Sequence, residues 1–185
     1  MKTEVKKEGI EWLKAFAIGI IIFAFIRTFF ISNYVVEGES MLPTLKEGNK
    51  LVVSKFGYET SDLKHFDIIV FHASKREDFV KRVIGLPGDK IEYRDDRLFI
   101  NGTHKEEPFL DIYKEETLGG TLTGDFTLEE LTGYEKVPEG KLFVLGDNRL
   151  GSWDSRHFGF ISEDQVVGAV NLKYWPLDEI HLSYN

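Results

Sequence analysis

From Ile10 to Ile31 the chain is a nearly unbroken apolar run, and behind it come short alternating runs separated by turn residues. The run holds Trp12, then Ala15-Phe-Ala-Ile-Gly-Ile-Ile-Ile-Phe-Ala-Phe-Ile26, then Arg27 and Thr28-Phe-Phe-Ile31. At helical rise its 22 residues cover roughly 33 Å, enough for a bilayer core. The charge-free part covers only about 18 Å, so Lys14 and Arg27 must snorkel to the two interfaces. Apolar residues all round argue against a core helix, and an in-plane amphipathic helix would need a polar face. The residues behind the run are Phe29, Phe30 and Ile31, which leave no small-x-small cleavage site, and the single Ala-Phe-Ala lies at the wrong end. The expectation is one uncleaved N-terminal transmembrane helix over residues 10–31, with residues 1–9 before it.

Residues 32–185 read as one mainly β, antiparallel domain. Tyr34–Val36, Leu51–Ser54, Asp67–Phe71, Asp78–Ile84, Lys90–Tyr93 and Arg97–Ile100 are runs rich in Val, Ile, Phe and Tyr. Asn101-Gly102 behind Leu98-Phe-Ile100 predicts a two-residue hairpin turn. Residues 104–140 change character: Glu106, Glu107, Asp111, Glu115, Glu116, Asp125, Glu129 and Glu130 crowd a segment poor in β-branched residues. They predict a solvated acidic insertion between two halves of one sheet, with a helical turn near Leu128–Thr132. Lys141–Leu145 and Gln165–Trp175 resume the strand pattern and close the same core.

Charge sharpens this picture. The chain carries −8 overall, but residues 1–31 hold five Lys and Arg against three Glu, leaving −10 beyond them. An acidic domain lacks the clustered basic face that nucleic acid requires. Lys2, Lys6, Lys7 and Lys14 outnumber Lys46 and Lys50 on the far flank, which favours a cytoplasmic N-terminus and an extracytoplasmic domain. With no cysteine there is no disulfide, no thiolate metal site and no Cys nucleophile.

Candidate chemistry lies in three stretches. Tyr34-Val-Val-Glu-Gly-Glu-Ser-Met-Leu-Pro-Thr-Leu45 presents Ser40 behind a short strand, where a serine also serves as a turn residue or cap. A serine hydroxyl needs a base to become a nucleophile. His65, His72, His104, His157 and His181 lie outside any triad motif, which leaves a Ser-His-Asp site only through a spatial meeting that the sequence does not show; a lysine whose pKa burial lowers can serve instead. Lys81 qualifies: in an extended strand it shares a face with Phe79 and Val83. The alternative is a lysine on the exposed face of a half-buried strand. Arg82 stays protonated and suits an ion pair. Gly146-Asp-Asn-Arg-Leu-Gly-Ser-Trp-Asp-Ser-Arg156 is either a loop stapled by Asp–Arg pairs or a polar frame for a buried lysine.

Taken together, these stretches resemble those of the bacterial type I signal peptidases, of the short kind with one N-terminal anchor. Ser40-Met41 with Pro43-Thr44 is similar to that family's nucleophile box, and Leu51-Val-Val-Ser-Lys-Phe-Gly-Tyr58 to its next strand. Lys81-Arg-Val-Ile-Gly-Leu-Pro-Gly-Asp89 resembles the general-base box, and residues 146–156 the last one. The resemblance spans about residues 10–176 and is weakest over the acidic insertion. It implies a serine endopeptidase that removes signal peptides from exported preproteins after Ala-x-Ala-type sites. Ser40 would be the nucleophile and Lys81 the general base, with Ser152 hydrogen-bonding the lysine amine. Asp147, Asp154 and Arg156 would hold the loop, and Arg82 would pair one of the acids. The oxyanion would meet the backbone N–H of Ser40; where some members carry a serine two residues earlier, this chain has Gly38. No metal or cofactor is implied. Partners would be secretory preproteins, membrane lipid and the export translocon. Met41, Leu42, Trp153 and Trp175 would face either lipid or core.

Two other readings compete. Self-cleaving Ser-Lys repressors share a related β core but need a DNA-binding domain and a cleavage site in cis. A catalytically inactive, membrane-anchored β-rich binding module would keep the fold and lose the reaction.

Overall fold

The computed structural model describes residues 12–24, 31–55, 63–116 and 121–182. Residues 12–24 form a helix, α1. Every large apolar side chain from Trp12 to Phe23 is more than half exposed, so the helix has apolar surface on all sides and no packing partner among the described residues. No helix among the described residues is long and apolar enough to cross a membrane. The expected span extends beyond α1 at both ends: residues 10–11 and 25–30, like the expected cytoplasmic stretch 1–9, lie outside the described residues. Its far boundary is corrected, because a strand already begins at Ile31.

That strand, β1 (Ile31–Val35), opens an antiparallel domain. It is followed by β2 (Lys50–Ser54), β3 (Ile68–His72), β4 (Asp78–Gly85), β5 (Ile91–Arg94), β6 (Arg97–Ile100) and β7 (Thr103–Lys105). After α2 (Asp111–Glu116) come β8 (Phe126–Thr127), α3 (Leu128–Thr132) and β9 (Lys141–Leu145). The chain ends on α4 (Ser155–Phe158), β10 (Ile161–Ser162), β11 (Val166–Trp175) and β12 (His181–Leu182). One sheet runs β1-β2-β11-β3-β4-β9-β10 with β12 beside β11; a second runs β7-β6-β5-β8.

Alternation along β3 explains why the large sheet sits at the centre. Ile68 and Val70 pack with Val36, Met41, Leu45, Leu51 and Val53 on one face. Ile69 and Phe71 pack with Val83, Leu142 and Val144 on the other. Both faces are therefore covered, and the strand reads as a continuous apolar run rather than a half-polar one. The expected hairpin is present: Asn101 and Gly102 take φ of 53° and 75° between β6 and β7, as a two-residue turn requires. The expected helical turn is α3, started by a capping box in which Thr127 Oγ1 accepts from Glu130 N–H and Glu130 Oε2 accepts from Thr127 N–H.

Residues 104–140 differ from the expectation. They are not a solvated excursion within one sheet, because β5 and β6 pair with β7 and β8 to make the second sheet. Its apolar face, with Ile91, Tyr93, Leu98, Ile100 and Phe126, packs together with Leu128 of α3 on Ile84, Phe143 and Leu145 of the large sheet. Glu107 is only 2% exposed. Its Oε1 accepts from Tyr93 Oη at 2.7 Å and from Arg149 Nη2 at 2.6 Å, and Arg149 Nη1 also donates to Tyr93 Oη at 2.8 Å. An acid expected in solvent is thus the buried counter-ion that ties the second sheet to residues 146–156.

Removing one partner of such a pair leaves a buried charge uncompensated, which costs about 3–5 kcal/mol. Glu107→Ala is expected to lose stability on that scale in urea unfolding. The exposed neighbour substitution Glu106→Ala is expected to stay within about 0.5 kcal/mol of the parent.

Candidate active site

Ser40 sits on a turn, and its position follows from what is buried on either side. Behind it Met41 and Leu45 are fully buried, each contributing about 1.5–3 kcal/mol of apolar burial that fixes where the turn lies. Leu42 N–H donates to Glu39 O at 3.1 Å and Leu45 N–H to Met41 O at 2.9 Å. Met41 therefore belongs to the core rather than to a lipid-facing surface, whereas Trp153 and Trp175 are exposed.

Lys81 comes from β4, forty-one residues further along, and its Nζ is 2.8 Å from Ser40 Oγ and 3.0 Å from Val80 O. It is 3% exposed, which removes the alternative of a charge on an open strand face. Burial lowers its pKa from 10.5 to about 8, and the opposing pull of Asp154 and Asp147 does not cancel that effect. The ring of Phe79, on the same strand face, lies 5.1 Å from Nζ.

Residues 146–156 surround this pair with neutralised acids. Asp147 accepts from Arg82 twice, Nε to Oδ1 at 2.8 Å and Nη2 to Oδ2 at 2.6 Å, and from Thr44 Oγ1 at 2.5 Å. Arg82 also donates to Phe66 O and stacks 3.8 Å from the Phe109 ring. Asp154 accepts from Arg156 Nε and Nη2, each at 2.9 Å, and from Gly146 N–H at 3.0 Å. Burial alone would raise the Asp154 pKa, but Arg156 and the Gly146 N–H outweigh it and the net shift is downward. Both acids thus sit beside an arginine, in the bidentate geometry that holds charge-assisted pairs rigid.

The expected Ser152–Lys81 hydrogen bond is not formed. Ser152 Oγ is buried and lies beside Asp154, whose pKa it lowers as one of the smaller effects. It does pack against the site, because a Cβ at Gly146 would collide with both Ser152 Oγ and Ser40 O. Four of the histidines have partners other than Ser40 and Lys81, His104 lying 3.5 Å from Glu106. His65 is 2.7 Å from Asp89, His72 2.6 Å from Asp78, and His157 stacks on Trp153.

Ser40 and Lys81 open into a cleft of about 440 Å³ lined by Val36, Gly38, Met41, Val80 and Trp153 among others. Its rims are strand edges. Among the described residues β1 ends the large sheet, and β9 joins β4 only from Arg82 onward, so the Asp78–Lys81 edge has no strand partner on that side among them. Tyr34 Oη donates to Asp78 Oδ2 at 3.0 Å from one rim to the other. Three contributors carried no assignment from sequence: Thr44, Asn148 and Glu107. Thr44 and Asn148 stood inside recognisable stretches. For Glu107 the one signal was the apolar Phe109-Leu110 step directly behind Pro108 in an acidic segment. Among the described residues no group of His, Cys, Asp and Glu could hold a metal ion.

Comparison with known proteins gives one consistent result. The family described as "Signal peptidase, peptidase S26" matches residues 9–175. A signal peptidase I of Bacillus caldolyticus is 53% identical over 184 residues, covering 100% of both chains. A signal peptidase IB of Staphylococcus aureus is 43% identical over 185 residues, covering 98% of this chain and 97% of the relative. A crystal structure of a signal peptidase I from Enterococcus faecalis V583 is similar with a TM-score of 0.54 and 48% identity, over 58% of this chain and 95% of that one.

A lysine whose folded pKa is about 8 binds its proton less tightly than in the unfolded chain, where the value is 10.5. The resulting penalty is complete below pH 8 and fades as pH rises to 10.5. Lys81→Met removes it. From pH 7 to pH 10 the stability of wild type relative to Lys81→Met is therefore expected to rise by about 2–3 kcal/mol in paired denaturant titrations. A pH-independent difference would mean an ordinary lysine.

Proposed function

The chain belongs to the S26 family of signal peptidases, and on that premise we propose that it is a membrane-anchored serine endopeptidase in which Ser40 and Lys81 cleave signal peptides from exported preproteins. The observation that carries this reading is a buried lysine amine 2.8 Å from a serine hydroxyl at the floor of an open cleft.

In the neutral state the Lys81 amine accepts the Ser40 proton as Oγ attacks the scissile carbonyl. The carbonyl oxygen becomes an oxyanion facing the backbone N–H of Ser40. The resulting ammonium protonates the leaving amine, and the C–N bond breaks to leave an acyl ester on Ser40. Lys81, neutral again, takes a proton from water; hydroxide attacks the ester, and the proton returns to Oγ. Asp147 and Asp154 are poised to stabilise the transient ammonium, while Arg82 and Arg156 keep that pull from holding the proton permanently.

The substrate lies extended between the β1 and β4 edges, where main-chain groups are available for strand addition. In an extended chain, side chains two apart point the same way, so an Ala-x-Ala segment turns both alanines into the cleft floor. Val36, Met41 and Val80 there leave room for small groups. The apolar N-terminal segment anchors the enzyme, with the N-terminus cytoplasmic and residues 32–185 outside, so that preproteins emerging from the export translocon meet the site at the lipid surface.

Detergent-solubilised full-length protein is expected to cut a preprotein directly after the second alanine of an Ala-x-Ala site. Ser40→Ala and Lys81→Ala should each lower kcat by at least about 10³-fold while remaining folded. Because the base must be unprotonated, the wild-type rate should rise with pH through about 8 and be about a tenth of its plateau at pH 7. Retained cleavage by Ser40→Ala would assign the nucleophile elsewhere.

A further inference from the structure

Two peptide groups flank the Ser40 nitrogen and carbonyl carbon, and both are held by one residue. Asn148 Nδ2 donates to Glu39 O at 3.2 Å, and Asn148 N–H donates to Ser40 O at 3.0 Å. Glu39 O has a second donor in Leu42 N–H at 3.1 Å. The Ser40 N–H itself donates to no acceptor among the described residues.

A trans peptide is planar, so its C=O and N–H point in opposite directions. Two donors on Glu39 O, arriving from different elements, fix the rotation of the Glu39–Ser40 plane. The same plane carries the Ser40 N–H, which is therefore aimed without any contact of its own. Gly38 supplies no hydroxyl nearby and sits at φ +78°, a conformation that favours glycine over a serine replacement. The direction of a single backbone donor then matters more than it would beside a side-chain partner.

Building on the Ser40–Lys81 reading, we propose that Asn148 is the positioning residue of the oxyanion site: its amide holds the Glu39 carbonyl so that the Ser40 N–H points at the oxygen on which charge develops. The assignment of its amide ends follows from the two neighbours. Gly151 N–H needs an acceptor and finds Oδ1 at 3.1 Å, while Glu39 O needs a donor and finds Nδ2. Gly151 is part of the device, since a Cβ there would come within 2.9 Å of Nδ2 and 3.2 Å of Cγ. The rest of the loop holds Asn148 still: Asp147 on one side is gripped by Arg82, and Arg149 on the other by Glu107. Glu107 is thereby linked through Arg149 to the backbone that orients the nucleophile.

Asn148→Asp separates this role from simple loop support. The aspartate keeps the oxygen that accepts from Gly151 but has no donor for Glu39 O. On the high-pH plateau, Asn148→Asp and Asn148→Ala are both expected to lower kcat for an Ala-x-Ala peptide by about 10–100-fold, with KM within about 2-fold. In the uncharged Asn148→Ala the midpoint of the pH profile should stay where it is in wild type. Gly151→Ala, which crowds the amide without removing either of its groups, should lower kcat by about 3–10-fold. Wild-type kcat in Asn148→Asp beside a loss in Asn148→Ala would reduce Asn148 to a loop staple and overturn the proposal. So would a loss in Asn148→Ala that higher pH restores, because the effect would then run through Lys81. If wild type itself cuts no such peptide, the peptidase reading fails first, and that result is distinct from either of these.

Discussion

The interaction on which the rest of the site depends is a lysine amine held out of water 2.8 Å from a serine hydroxyl, with its pKa lowered to about 8. Burial supplies the downward shift, and two nearby carboxylates oppose it. Nearby carboxylates favour the ammonium. Each of these is itself paired with an arginine, Asp147 with Arg82 and Asp154 with Arg156. The arrangement is a balance of opposed charges, and it accounts for the density of buried ionic groups around one small cleft.

Holding that balance takes segments far apart in the chain. Ser40 and Lys81 are 41 residues apart, and Thr44 and Asp147 are 103 apart. The large sheet brings them together by placing β4 and β9 side by side, with Leu145 opposite Arg82. Residues 146–156 then run directly from the end of β9 into the site. The second sheet contributes from behind, where Tyr93 and Glu107 hold Arg149. The domain core and the site are therefore continuous, and a change in the second sheet reaches the cleft through a short series of hydrogen bonds.

Much of this was legible in the residues. The alternation along β4 put Lys81 beside Phe79, the Asn101-Gly102 pair marked its turn, and a helical turn was expected near Leu128–Thr132, where α3 lies. The stretches around Ser40, Lys81 and Gly146 stood out because their residue types have narrow chemical uses. What stayed hidden was partnership. Period-2 alternation tells which residues share a face but not which strand lies alongside, so the expectation of one sheet misses the second one that β5 and β6 build. Composition averages over a segment, so a single buried acid, Glu107, vanished among exposed ones. Boundaries slipped for a related reason: Ile31 is as apolar as the helix before it, and only pairing with Ser54 marks it as strand. Ser152 shows a finer limit, since its place in the motif implied a bond to Lys81, whereas in the structure its hydroxyl packs between Gly146 and Asp154.

The most direct test of the central claim is the titration of Lys81 itself, followed by NMR of the side-chain Cε and Nζ in full-length protein labelled at lysine. A midpoint near 8, moved from the ordinary 10.5, is what the buried and counterbalanced amine requires. A midpoint at the ordinary value would contradict it, because Lys81 would then be an ammonium throughout the neutral range and unable to take the Ser40 proton.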